Sequence, residues 1–148
     1  MTKIKNIIKG KVLFIGVGNE IRGDDAAGLK FIKMGKDVLK EYFFINAKET
    51  PENYLESILS INPDTLIFVD AVDYGVEPGR YKLFVKDEIK NCSVSTHNAS
   101  LKLPMDYLLA HDGNINIYLL GIQPKSCKLN ENISLEVNKC IKNLIKKL

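Results

Sequence analysis

The chain has 148 residues, 45% hydrophobic and 26% charged, the composition of a soluble globular protein forming one domain over residues 1–148. A net charge of +3, from 21 basic and 18 acidic residues, is too mild for a nucleic-acid-binding face. No apolar run approaches the roughly 20 residues that membrane insertion needs.

The N-terminus, MTKIKNIIKGK, is basic, but its apolar run is too short for a signal peptide and it has no cleavage site, so a cytoplasmic location is expected. The continuous apolar run Lys11 to Val17 predicts a strand covered on both faces. From Asp25 to Tyr42 apolar residues (Leu29, Phe31, Ile32, Val38, Leu39) recur at helical spacing, and Asp24 and Asp25 stand where the helix would be capped. Tyr42 to Ala47 predicts a second strand. Thr50 and Pro51 open the next helix as N-cap and first helical residue, with Tyr54, Leu55, Ile58 and Leu59 facing inward. Thr65 to Ala71 predicts a third buried strand containing Asp70. Asp73 to Gly79 is loop chemistry throughout. Arg80 to Val85 alternates as an edge strand does. A linking segment reaches Ser95-Thr96-His97-Asn98, and a helix follows from Leu101 to His111, with Pro104 either in its first turn or kinking it. Ile115 to Ile122 predicts the last strand, and Asn130 to Leu148 a closing helix whose lysines face solvent.

Buried strands alternating with helices define an α/β fold: a three-layer sandwich with a twisted, mostly parallel sheet of about five strands. Ligands of such sheets bind beyond the carboxyl ends of the strands. Asp24/Asp25, Asp70 and His97 follow three predicted elements at that edge.

The stretch GVGNEIRGDDAAG, residues 16–28, begins like a nucleotide loop and then departs from it. A dinucleotide fingerprint has glycine where Ile21 stands. A P-loop has a lysine and a hydroxyl where Asp24 and Asp25 stand, and carboxylates there would repel phosphate. No nucleotide or organic cofactor is therefore expected. An aspartate pair fits helix capping or the ligation of a cation. Capping needs only one carboxylate, which leaves the other available. With Asp70 and His97, two carboxylates and an imidazole would make an open divalent site with positions left for water or substrate. The three cysteines, Cys92, Cys127 and Cys140, are odd in number with no C-x-x-C pair. They read as reduced and structural, with Cys92 nearest to candidate chemistry because His97 follows it closely.

GVGNEIRGDDAAG, IFVDAVDYGVEPG, STHN and LLGIQP occur in this order. Together they resemble the [NiFe]-hydrogenase maturation peptidases, in particular those that process the large subunit of hydrogenase 3-type enzymes. The resemblance runs from about Val12 to about Pro124. It implies an endopeptidase without a serine or cysteine nucleophile, which removes the C-terminal extension of the [NiFe]-hydrogenase large-subunit precursor after nickel insertion. By motif, the family's metal-contacting positions fall on Asp25, Asp70 and His97, leaving Asp24 as the helix cap. Nickel would be supplied by the substrate precursor and would pick up these three residues as further ligands. The partner implied is the precursor alone, met by a monomer. Two other readings stay open at this level: a non-catalytic chaperone that checks the precursor for nickel, and an autonomous metal-dependent hydrolase. The chain departs from the family pattern after His97, where Ala99-Ser100-Leu101-Lys102-Leu103-Pro104 predicts a longer or reshaped helix start.

Overall fold

The computed structural model describes residues 3–91 and 98–148, with side chains described for 3–89 and 101–148. A short helix α1 (Ile4–Ile7) precedes strand β1 (Val12–Val17), then a 3-10 turn (Gly23–Ala26) leads into α2 (Ala27–Val38). Strand β2 (Phe43–Lys48), a second 3-10 turn (Pro51–Tyr54), α3 (Leu55–Ile61) and β3 (Thr65–Ala71) follow. Next come β4 (Tyr81–Val85), α4 (Lys86–Asn91), α5 (Asn98–His111), β5 (Asn116–Ile122) and α6 (Leu135–Lys147).

The five strands form one sheet in the order β2-β1-β3-β5-β4. All neighbours run parallel except β4, which pairs antiparallel with β5. Strands β1 and β3 are buried along their whole length, as expected for central strands covered on both faces. Successive side chains alternate between two cores. Val12 and Phe14 of β1 and Ile67 and Val69 of β3 face a core shared with α1, α2 and α6. Leu13, Ile15, Leu66 and Phe68 face the other, closed by Ile58, Ile89, Leu101, Met105 and Leu108. The molecule therefore has the three layers read from its sequence.

Four local expectations are corrected. Residues 86–91 form α4 rather than a linker; among its residues with described side chains only Ile89 is deeply buried, so no apolar period announces it. Pro104 lies inside α5, which starts at Asn98. Leu101, Met105 and Leu108, all buried, hold the helix to the sheet through the proline, so tertiary packing overrides propensity. Thr50 makes no side-chain cap, although Pro51 does open its helical turn. The last helix begins at Leu135, not Asn130: Asn130 is left-handed at φ +64°, and Ser134 caps the helix by accepting from the Val137 N–H at 3.4 Å.

Because β1, β3 and β5 are parallel, the segments after them emerge together at one edge. These are residues 18–25, 72–79 and 123–134.

Candidate active site

The first segment is shaped by two glycines. Gly18 has φ +147°, and a Cβ there would fall on the Asp25 carbonyl oxygen, so only glycine accepts this close approach. The turn closes with the Asn19 N–H donating to the Asp25 carbonyl at 3.3 Å and to its Oδ2 at 3.2 Å. Asn19 Oδ1 in turn accepts from the Ile21 N–H at 3.1 Å. Ile21, standing where a dinucleotide loop has its third glycine, is 52% exposed and obstructs nothing. The close approach of helix to sheet is made by Gly28 instead, which lies against the carbonyl oxygens of Val17 and Val69.

Asp24 and Asp25 are buried, at 1% and 6% exposure, and neither occupies a cap position. The N-cap of α2 is Ala26, and that of the preceding 3-10 turn is Arg22. The expectation that Asp24 caps the helix is therefore corrected. Its carboxylate turns into the fold and accepts from Lys125 N–H, Ser126 N–H, Ser134 N–H and the Ser134 hydroxyl. A buried carboxylate needs partners of this kind, and the third segment supplies them. Asp25 instead lines a cleft of about 280 Å³ together with Ala71, Asp73 and residues 124–127.

Asp70 is fully buried in β3, next to Gly121 of β5. Its charge is felt at the cleft. The Cys127 thiol is pushed up to about 11, first by burial and then by Asp25, Asp24 and Asp70, with a backbone hydrogen bond at Asp25 pulling the other way. The residue as a whole is exposed. Such a thiol carries almost no thiolate at neutral pH. Cys140 is structural, as read: it is buried, and burial alone raises it to about 11. The described cysteine that lines the cleft with Asp25 is Cys127. Cys92 and His97 lie outside the described residues.

The cleft floor rests on Gln123, 5% exposed. Its Oε1 accepts from Tyr74 N–H at 2.9 Å and Val76 N–H at 3.4 Å, while its Nε2 donates to Asp73 Oδ1 at 3.1 Å and the Pro124 carbonyl at 3.3 Å. One side chain thus holds the 73–79 loop and sets Asp73 at the cleft. The Lys125 ammonium pairs with Glu136 at 2.9 Å on the surface, leaving an acidic lining. Asp73, Gln123 and Cys127 were given no role from the sequence; Asp73 and Gln123 lie inside the stretches IFVDAVDYGVEPG and LLGIQP, and Cys127 had position alone, just after β5. A larger groove of about 540 Å³ along α2 and β2, lined by Leu29, Met34, Phe44 and Ile133 among others, lies away from these carboxylates. Among the described residues no group of three or more His, Cys, Asp or Glu side chains is arranged to hold a metal ion.

The site is a set of buried aspartates at the carboxyl edge of a mostly parallel α/β sandwich, where ligands of such sheets bind. Comparison with known proteins gives the class. The hydrogenase maturation protease family, HycI type, matches residues 33–148, a span that includes positions 70 and 97 but not 24 and 25. The hydrogenase 3 maturation protease of Escherichia coli K12 is 34% identical over 110 residues, 73% of this chain and 69% of that one. The crystal structure of the [NiFe] hydrogenase maturation protease HycI from Thermococcus kodakarensis superposes with a TM-score of 0.86 at 31% identity, covering 97% of this chain and 94% of the other. Escherichia coli HybD, a hydrogenase maturating endopeptidase, shares the fold at a TM-score of 0.77 and 20% identity. The chain belongs to the hydrogenase maturation proteases, enzymes that hydrolyse a peptide bond. Among the described residues no helix is long and apolar enough to cross a membrane.

Proposed function

We propose that this enzyme removes the C-terminal extension of a [NiFe]-hydrogenase large-subunit precursor after nickel insertion, and that the nickel carried by the precursor is what it recognises. The observation that carries this reading is the cleft, where Asp25, 6% exposed, lines one side and Asp70, fully buried, lies close enough to act on the Cys127 thiol. Desolvated carboxylates at a solvent-open cleft favour a cation. With His97 as third ligand they would form an O/O/N set for a metal already held by its substrate. A precursor without nickel lacks the bridging cation and binds weakly, so recognition and nickel loading are coupled.

Substrate-borne nickel supplies Lewis-acid polarisation of the scissile carbonyl or acidification of a water. The chain's own part is positioning and proton handling. Asn19 holds the Asp25 carboxylate through its N–H, and Asp25 or Asp70 takes the proton as general base. The Cys127 thiol, at about 11, is a poor nucleophile at neutral pH. The setting proposed is the cytoplasm.

The test is a mass spectrum of the large subunit's C-terminus after incubation with the purified protein. Nickel-loaded precursor is expected to be shortened and nickel-free precursor left intact. Equal cutting of both would sink the nickel reading. Binding of the loaded precursor without any shortened product would make the protein a chaperone.

A further inference from the structure

Asp24 does not line the cleft, yet it is tied to the wall that does. Its Oδ2 accepts from Lys125 N–H at 2.8 Å, from Ser126 N–H at 3.3 Å and from the Ser134 hydroxyl at 2.8 Å. Its Oδ1 accepts from Ser134 N–H at 2.7 Å. The backbone joins in. Asp24 N–H donates to the Ser126 carbonyl at 2.9 Å, and Gly23 N–H to the Glu131 carbonyl at 3.1 Å. Ser134 passes the connection on, since the hydroxyl that donates to Asp24 also accepts from Val137 N–H and caps α6.

Residues 123–134 join β5 to α6 without helix or strand. Connections of this length do not hold one shape unless something fixes them. Residues 124–127 of this connection line the same cleft as Asp25. Hydrogen bonds to a carboxylate are roughly twice as strong as neutral ones. Their acceptor here is the residue next in sequence to Asp25. Two consecutive carboxylates therefore split the work: one lines the cleft, and the other faces the fold and ties down the connection that lines it too.

We infer that Asp24 is a positioning residue for cleavage, holding the 124–127 wall at a fixed separation from Asp25 so that the cleft is formed before the precursor arrives. The inference rests on Asp25 standing at the reacting centre, as proposed above. Preformed walls matter because a displacement of about 1 Å at a reacting site costs roughly 100-fold in rate.

The two oxygens make the test graded. In Asp24→Asn the amide oxygen takes the place of Oδ2 and keeps three bonds, which turns the NH₂ against the Ser134 N–H. In Asp24→Ala all four are lost. Hydrogen exchange on the free protein is expected to quicken at Ser134 in Asp24→Asn, and at Lys125, Ser126 and Ser134 in Asp24→Ala. At a temperature where each variant is fully folded, kcat/KM for the nickel-loaded precursor is expected to fall roughly 10-fold and 100-fold respectively, the range for residues that act by orienting others. Ser134→Ala should be impaired and Ser134→Thr, which keeps the hydroxyl, should recover. Val12→Ala at the opposite end of β1 serves as a control that loses stability without touching the cleft.

Wild-type kcat/KM in folded Asp24→Asn and Asp24→Ala would overturn the proposal. So would a loss of processing with exchange unchanged at all three amides, which would put Asp24 on the substrate itself, or an equal loss in Val12→Ala at matched stability. Cutting of nickel-free precursor by the wild type would overturn only the nickel reading, because exchange is read on the free protein and the variants are compared on whichever precursor is cut.

Discussion

Gly28 of α2 lies so close to Val69 of β3 that a Cβ on the glycine would overlap the Val69 carbonyl oxygen. This contact seats the start of α2 on the two central strands, directly below Asp25 and one residue before Asp70.

Gly28→Ala is expected to force the helix off the strands. Overpacking against backbone, which cannot yield as a flexible side chain can, should destabilise by about 1–3 kcal/mol. It should also lower processing by more than the stability loss explains. Urea denaturation and precursor cleavage at a temperature where the variant stays folded measure the two effects. An unchanged denaturation midpoint would mean that the contact is looser than it looks.

Asp25→Asn and Asp70→Asn keep size and remove charge. Each is expected to leave the fold in place and to reduce processing by at least about 100-fold, as loss of a ligand or general base does. His97→Ala is expected to do the same. Near-UV circular dichroism checks the fold and a mass spectrum of the large subunit checks cleavage. Normal processing by any one variant would take that residue out of the site.

Cys127 offers a pH-dependent probe. Its thiol is raised to about 11 by burial and by three carboxylates, so alkylation by iodoacetamide should stay slow at pH 7 to 9 and rise only toward the thiol's own range. Asp25 is the largest of the electrostatic causes. Removing its negative charge lowers the pKa, so Asp25→Asn is expected to alkylate faster than wild type at pH 9. Cys127→Ala should still process the precursor. A loss of about 10⁴-fold or more, the scale of a missing nucleophile, would restore the thiol to the chemistry.

Gln123→Ala strips the 73–79 loop of its anchor, leaving the Tyr74 N–H without its 2.9 Å acceptor. A cost of about 1–3 kcal/mol is expected for donors left unmet. Faster exchange at Tyr74 and proteolytic nicking between residues 73 and 79 are the readouts. Gln123→Glu keeps an acceptor for Tyr74 but loses the donor to Asp73, and should restore slow exchange at Tyr74.

Much of this was legible in the chain itself. β1, β3 and β5 are apolar runs with turn chemistry at their ends, and their alternation with helices required a parallel sheet in three layers. The carboxyl edge of that sheet then marked Asp25 and Asp70 as residues to watch. The same local rules failed where packing outweighs propensity. Pro104 is carried inside α5 by Leu101, Met105 and Leu108, and the polar α4 is pinned by Ile89.

The sequence by itself determined the layers, the sheet edge at which chemistry would occur, and the acidic character of its first turn, because hydrophobic period, glycines and charge act over a few residues. Only the tertiary structure decided which way each member of the aspartate pair faces. Capping is a local prediction for Asp24, but its partners Lys125, Ser126 and Ser134 stand 101 to 110 positions away. A buried carboxylate takes the partners that the fold brings to it, and no local pattern records which those are.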